Sequence, residues 1–103
     1  MAAQKRIVVG TSAVLLANPN PSRRSIKITF IPSAIETGNT GRIHVGKGFP
    51  PSTTLGAPNQ GDPLNAGSEV SDGEAYPNDP SVFKGAWWAM ASIADQVVIV
   101  DEI

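Results

Sequence analysis

At 103 residues, with eight Lys or Arg, nine Asp or Glu and a net charge of −1, the chain has the size of one domain. It carries no charge excess that would draw it to nucleic acid or an anionic membrane. The absence of cysteine excludes a disulfide framework and a thiolate-bound metal, and no run approaches the roughly 18 apolar residues of a membrane span.

Cores without such staples supply roughly 3–5 kcal/mol in chains somewhat shorter than this one, so oligomerisation or docking on a larger body is a natural source of added stability. Residues 1–6 lack the apolar segment of a secretory signal, and an intracellular, complete chain is expected. Residues 1–50 hold seven bases and one acid, Glu36, whereas residues 51–103 hold one base, Lys84, and eight acids. Either interleaved strands mix these charges over the surface, or a basic edge and an acidic edge face a neighbouring subunit.

In chain order, residues 6–9 read as a first strand and 13–16 as a second, separated by Gly10-Thr11-Ser12. Both are continuous apolar runs, so alternation does not choose their faces. Asn18-Pro19-Asn20-Pro21 then excludes helix, because each proline lacks a donor and fixes φ. From Arg24 to Ile31 the pattern is a half-buried strand, with Ile26, Ile28 and Phe30 alternating with Ser25, Lys27 and Thr29. A turn over residues 36–41 leads to residues 42–46, where Ile43 and Val45 point inward and Arg42 and His44 outward.

Residues 47–67 are broken throughout by glycine and proline and predict a long irregular loop, of the kind that is functional or mobile. Phe49, Leu55 and Leu64 are its candidates for pinning to the core. A weak strand over 68–70 precedes an acidic loop over 71–81 that contains Tyr76. Residues 86–92 and 97–100 are expected to pair as a hairpin through the turn at 92–96. On the first of these strands Trp87, Ala89 and Ala91 share the core face. Trp88 and Met90 share the other, where they either form an exposed apolar spot or lie beneath the long loop. Six to eight short strands with Pro/Gly turns indicate a sandwich or small barrel.

Chemistry-bearing motifs are sparse. His44 is the only histidine and reads as a solvated surface residue, without the orienting partner that nucleophilic catalysis requires. Glu69, Asp72, Glu74 and Asp79 lack the spacing of a calcium loop and read as solvated loop charge. Gly46-Lys47-Gly48 is followed by Phe49-Pro50-Pro51 instead of a helix start, which excludes a phosphate loop. These residues assign no catalytic, cofactor-binding or metal-binding role.

Several strings, read together, carry a resemblance. They are Val9-Gly10-Thr11-Ser12, Leu15-Leu16-Ala17-Asn18-Pro19-Asn20-Pro21-Ser22-Arg23-Arg24-Ser25-Ile26-Lys27-Ile28, Gly41-Arg42-Ile43-His44-Val45-Gly46, Pro63-Leu64-Asn65-Ala66-Gly67-Ser68, residues 85–92 and residues 97–102. In order and spacing the chain resembles the small β-sandwich capsid decoration (cement) proteins of tailed bacteriophages. The resemblance implies an all-β, jelly-roll-like sandwich of two antiparallel sheets with short strands and long Pro/Gly-rich loops. It implies a virion structural protein, made in the host bacterial cytoplasm, that binds the major capsid protein on the outer capsid surface, with a homotrimer expected. On this reading the contact residues are Arg23, Arg24, Phe49, Leu55, Trp88 and Met90, and segment 49–62 is an arm reaching a neighbour. A receptor- or carbohydrate-binding module of a head fibre or tail is the alternative, and it predicts Trp88, Tyr76 and Asp79 close together. An enzyme predicts a pocket around His44.

Overall fold

The computed structural model describes residues 3–103 and contains eight strands and no helix. They are β1 (Ala3–Val9), β2 (Val14–Ala17), β3 (Ser25–Phe30), β4 (Arg42–Lys47), β5 (Asp62–Asn65), β6 (Glu69–Gly73), β7 (Trp87–Ala91) and β8 (Gln96–Glu102). Pairing is nested: β1 with β8, β2 with β7, β3 with β6 and β4 with β5, all antiparallel. Contacts of β3 with β8 and of β4 with β7 gather these ribbons into two four-stranded sheets, β1-β8-β3-β6 and β2-β7-β4-β5. One long ribbon rolled in this way is the jelly roll, with every crossing but β4–β5 passing between sheets.

Alternation explains the core. Ile26, Ile28 and Phe30 of β3 and Val98 and Val100 of β8 face Trp87, Ala89 and Ala91 of β7 and Ile43 and Val45 of β4. Trp87 closes one end of this layer, with the Phe83 ring edge-on at 6.2 Å and Lys47 Nζ 5.5 Å from its own ring.

Three sequence expectations are corrected. Residues 86–92 and 97–100 do not form a hairpin: β7 and β8 lie in different sheets, and residues 92–95 carry the chain from one to the other. The irregular stretch is shorter than 47–67, because residues 62–65 form β5 despite Pro63; an edge strand tolerates a missing donor on its free side. The weak strand at 68–70 extends to Gly73 as β6, so Glu69 and Asp72 are strand residues rather than loop residues.

The two ends of the sandwich are tied by buried polar side chains. At one end Arg23 has 0% exposure. Its Nε donates to Glu102 Oε2 at 2.6 Å, its Nη1 to the Phe83 and Gly85 carbonyls at 3.0 and 2.8 Å, and its Nη2 to the Asn18 carbonyl at 2.8 Å. One guanidinium thus joins loop 18–24, loop 74–86 and the end of β8. At the other end Asn39 bridges the Val97 N–H and carbonyl and the Ile31 carbonyl. Gln96 beside it accepts from the Gly41 N–H and donates to the Gly38 and Ala94 carbonyls.

Breaking a buried ion pair by removing one partner costs about 3–5 kcal/mol, a large share of the 5–15 kcal/mol that holds a domain folded. Arg23→Ala is therefore expected to lower the urea midpoint substantially. Arg23→Lys is expected not to restore it, because an ammonium cannot reproduce the planar fork. A midpoint within error of the native protein for either variant contradicts the clamp.

Candidate interaction surface

Both outer faces carry apolar side chains, in different settings. On the β1-β8-β3-β6 sheet the outward row Gln4, Asp101, Lys27 and Ser71 is polar, with Gln4 Nε2 donating to Asp101 Oδ1 at 2.8 Å, and the exposed Val8 and half-buried Ile99 lie farther along the same face. On the β2-β7-β4-β5 sheet the outward side chains of β2 and β7 are Leu15, Trp88 and Met90. Leu15 sits opposite Trp88 and is 39% exposed; Trp88 and Met90 are half-buried. Trp88 and Met90 are thus on the face that alternation predicted, and Trp87 is on the opposite, core face.

Beside them, on β4, the outward positions are covered. Trp88 pairs with Gly46 and Met90 with His44, and both of these β4 residues are buried beneath residues 48–61. This connection between β4 and β5 folds back over the sheet as a strap. Gly46 makes this possible, since a Cβ there would collide with the Phe49 carbonyl. Gly61, with φ 71°, turns the strap back into β5 against the Val45 carbonyl. The strap holds its own shape through Ser52 N–H to the Asn59 carbonyl and Gly56 N–H to Gln60 Oε1. It is fastened to the sheet by Arg42 Nη2 to the Thr53 carbonyl at 3.2 Å and by His44 Nδ1 to the Gln60 carbonyl at 2.8 Å.

His44 does point outward, but it is fully buried and not solvated. Arg42 Nε donates to its Nε2 at 2.7 Å, so that nitrogen accepts and Nδ1 carries the proton given to Gln60. Both ring nitrogens are spent on holding the strap.

The remaining expected contact residues divide. Arg23 is withdrawn into the clamp and presents nothing to a partner. Arg24 is exposed and reaches Glu74 Oε2 at 3.3 Å. Phe49 and Leu55 project from the strap toward solvent, Leu55 at 61% exposure, and of the three proposed pins only Leu64 enters the core. The charge asymmetry along the chain is largely consumed inside the fold. Arg23 pairs with Glu102, Arg24 with Glu74, Lys27 with Glu69 and Lys47 with Asp72, each a base from the first half meeting an acid from the second. Leu15 was missed because its apolar run hides its orientation, and Asn39 and Gln96 carried no sequence signal.

Loop 74–86 bounds an open groove of about 690 Å³ lined by Arg24, Glu74, Asn78, Asp79, Lys84 and three prolines. Asp79 in it is buried, contrary to its reading as solvated charge. Its carboxylate accepts from the Ala75 N–H, and from the Ser81 N–H and hydroxyl, which holds its pKa below the ordinary 3.8. Tyr76 is exposed on the same loop, and neither Tyr76 nor Trp88 is among the residues lining the groove. Comparison with protein-family models, with curated proteins and with solved structures finds no match to this chain.

Two outcomes check this geometry. Gly46→Ala should lift the strap, costing about 1–3 kcal/mol as over-packing does, and make His44 reactive to diethylpyrocarbonate; a protected His44 in the variant contradicts the strap's position. Because Asp79 titrates below its ordinary 3.8, its carboxylate contributes stability in full above that value and loses it as pH falls through the lower folded value. The difference in Tm between the native protein and Asp79→Asn should be full at neutral pH and close under acid; a difference constant with pH contradicts it.

Proposed function

We propose that this protein is a capsid decoration protein that binds the outer surface of the major capsid lattice of a tailed bacteriophage and stabilises it. The observation that carries the reading is the apolar stripe on the β2-β7-β4-β5 face, where Leu15, Trp88 and Met90 lie beside a strap that bears Phe49 and Leu55. Trp and Met are enriched at interfaces because they bury large area at low rotamer cost or adapt to irregular partners. The resemblance of the chain's turn and strand strings to cement proteins supplies the identity of the partner.

Such a function requires no bond to be made or broken. A ligand that binds only the assembled shell stabilises it by mass action, and copies meeting at a symmetry axis add avidity. A homotrimer at a local three-fold axis remains the assembly favoured by this reading. With most bases already paired within the chain, shape and apolar contact carry the docking, and Arg24 is a peripheral contributor.

The experiment is sedimentation of the purified protein with expanded, undecorated capsids. The native protein should pellet with them, and Trp88→Ala should bind at least roughly tenfold more weakly, as a central aromatic anchor does. The urea midpoint of the same variant should fall far less than that of Arg23→Ala. No co-sedimentation of the native protein contradicts the function, and equal losses of folding and binding assign Trp88 to the core.

A further inference from the structure

The four edge strands of the sandwich are not equally protected. β5 carries Pro63 and spans four residues, β2 spans four residues with an irregular register, and β6 presents Glu69 and Asp72. These are the usual means of keeping an edge from pairing. β1 differs: it runs for seven residues and is hydrogen-bonded on one side only, to β8. Alternate residues of such a strand turn their N–H and C=O groups to solvent, a template for one more strand.

The side chains of β1 narrow the choice of occupant. Val8 is 51% exposed. Lys5 is the one basic residue of the described chain with neither a carboxylate nor a carbonyl partner. Arg6, Arg23, Arg24, Lys27 and Lys47 hold acids, and Arg42 and Lys84 hold carbonyls. A second copy fits poorly, because pairing β1 with β1 antiparallel over its full length places Arg6 opposite Arg6. Like charges directly opposite destabilise a ladder, whereas opposite charges support it. Lys5, with no acid of its own, suits a strand that brings a carboxylate opposite it.

We propose that the free edge of β1 receives an extended acidic segment of a partner protein, which adds to the sheet as a fifth strand with a carboxylate opposite Lys5. Main-chain hydrogen bonds would supply affinity, and the Lys5 and Val8 side chains would select the segment. This deepens the capsid reading by naming the edge used, and it rests on that reading only for the partner's identity as a capsid subunit.

The test uses the full-length protein and a synthetic peptide alternating valine with glutamate, with a valine–lysine peptide as control. Each is titrated to millimolar concentration while backbone amides are followed by NMR. The glutamate peptide should shift the β1 amides and slow their exchange. Lys5→Glu should bind it about tenfold more weakly and take the lysine peptide instead. Unmoved β1 amides, or equal binding by native protein and variant, overturn the inference. Capsid sedimentation separates the two claims. If native protein and Lys5→Glu pellet equally, the edge is wrong and the capsid reading stands. If the peptide binds β1 but nothing pellets, the edge stands and the capsid reading fails.

Discussion

The guanidinium of Arg23 is the contact on which the arrangement of this molecule depends. A rolled ribbon leaves its crossings without ladder partners, and here loops 18–24 and 74–86 carry the chain between sheets with prolines in each. Their carbonyls at Asn18, Phe83 and Gly85 face inward, where an unpaired acceptor costs about 1–3 kcal/mol. A planar fork of donors is the one side chain able to meet three carbonyls and a carboxylate together. Lys84 then reaches back to the Arg23 carbonyl, so the loop that the clamp captures also holds the clamp's own backbone.

Much of the fold was legible in the sequence where alternation operates alone. Ile26, Ile28 and Phe30, the pair Ile43 and Val45, and the split of Trp87 from Trp88 all follow from period two, and the structure agrees. The failures share a cause, which is that period two assigns a face without saying what covers it. His44 was given the correct side and the wrong environment because the strap that buries it comes from fourteen irregular residues, 48–61, with no period of their own. Nearness in sequence also misled: β7 and β8 are consecutive, and consecutive strands commonly pair, but in a jelly roll the nested partner is distant. Charge was legible in amount and not in destination, since which acid meets Arg23 or Lys47 depends on those long-range pairings.

The same two features explain why one face is left available. Pairing within the chain leaves few bases without a partner, and the strap covers β4 while Leu15 stays exposed and Trp88 and Met90 half-buried. The strap has two consequences: it buries polar groups of the sheet, and it sets a raised rim with Phe49 and Leu55 next to the apolar stripe. A flat apolar patch with an adjoining rim suits a rigid protein surface better than a small molecule, which needs a concavity to bury most of its area.

The measurement that bears most directly on this account is hydroxyl-radical footprinting of the protein free and mixed with expanded, undecorated capsids. Reactivity at Trp88 and Met90 should fall sharply on the capsids while Tyr76, exposed on loop 74–86, stays as reactive as in the free protein. Protection of Tyr76 with Trp88 and Met90 unchanged would place docking at the opposite kind of surface and contradict the account.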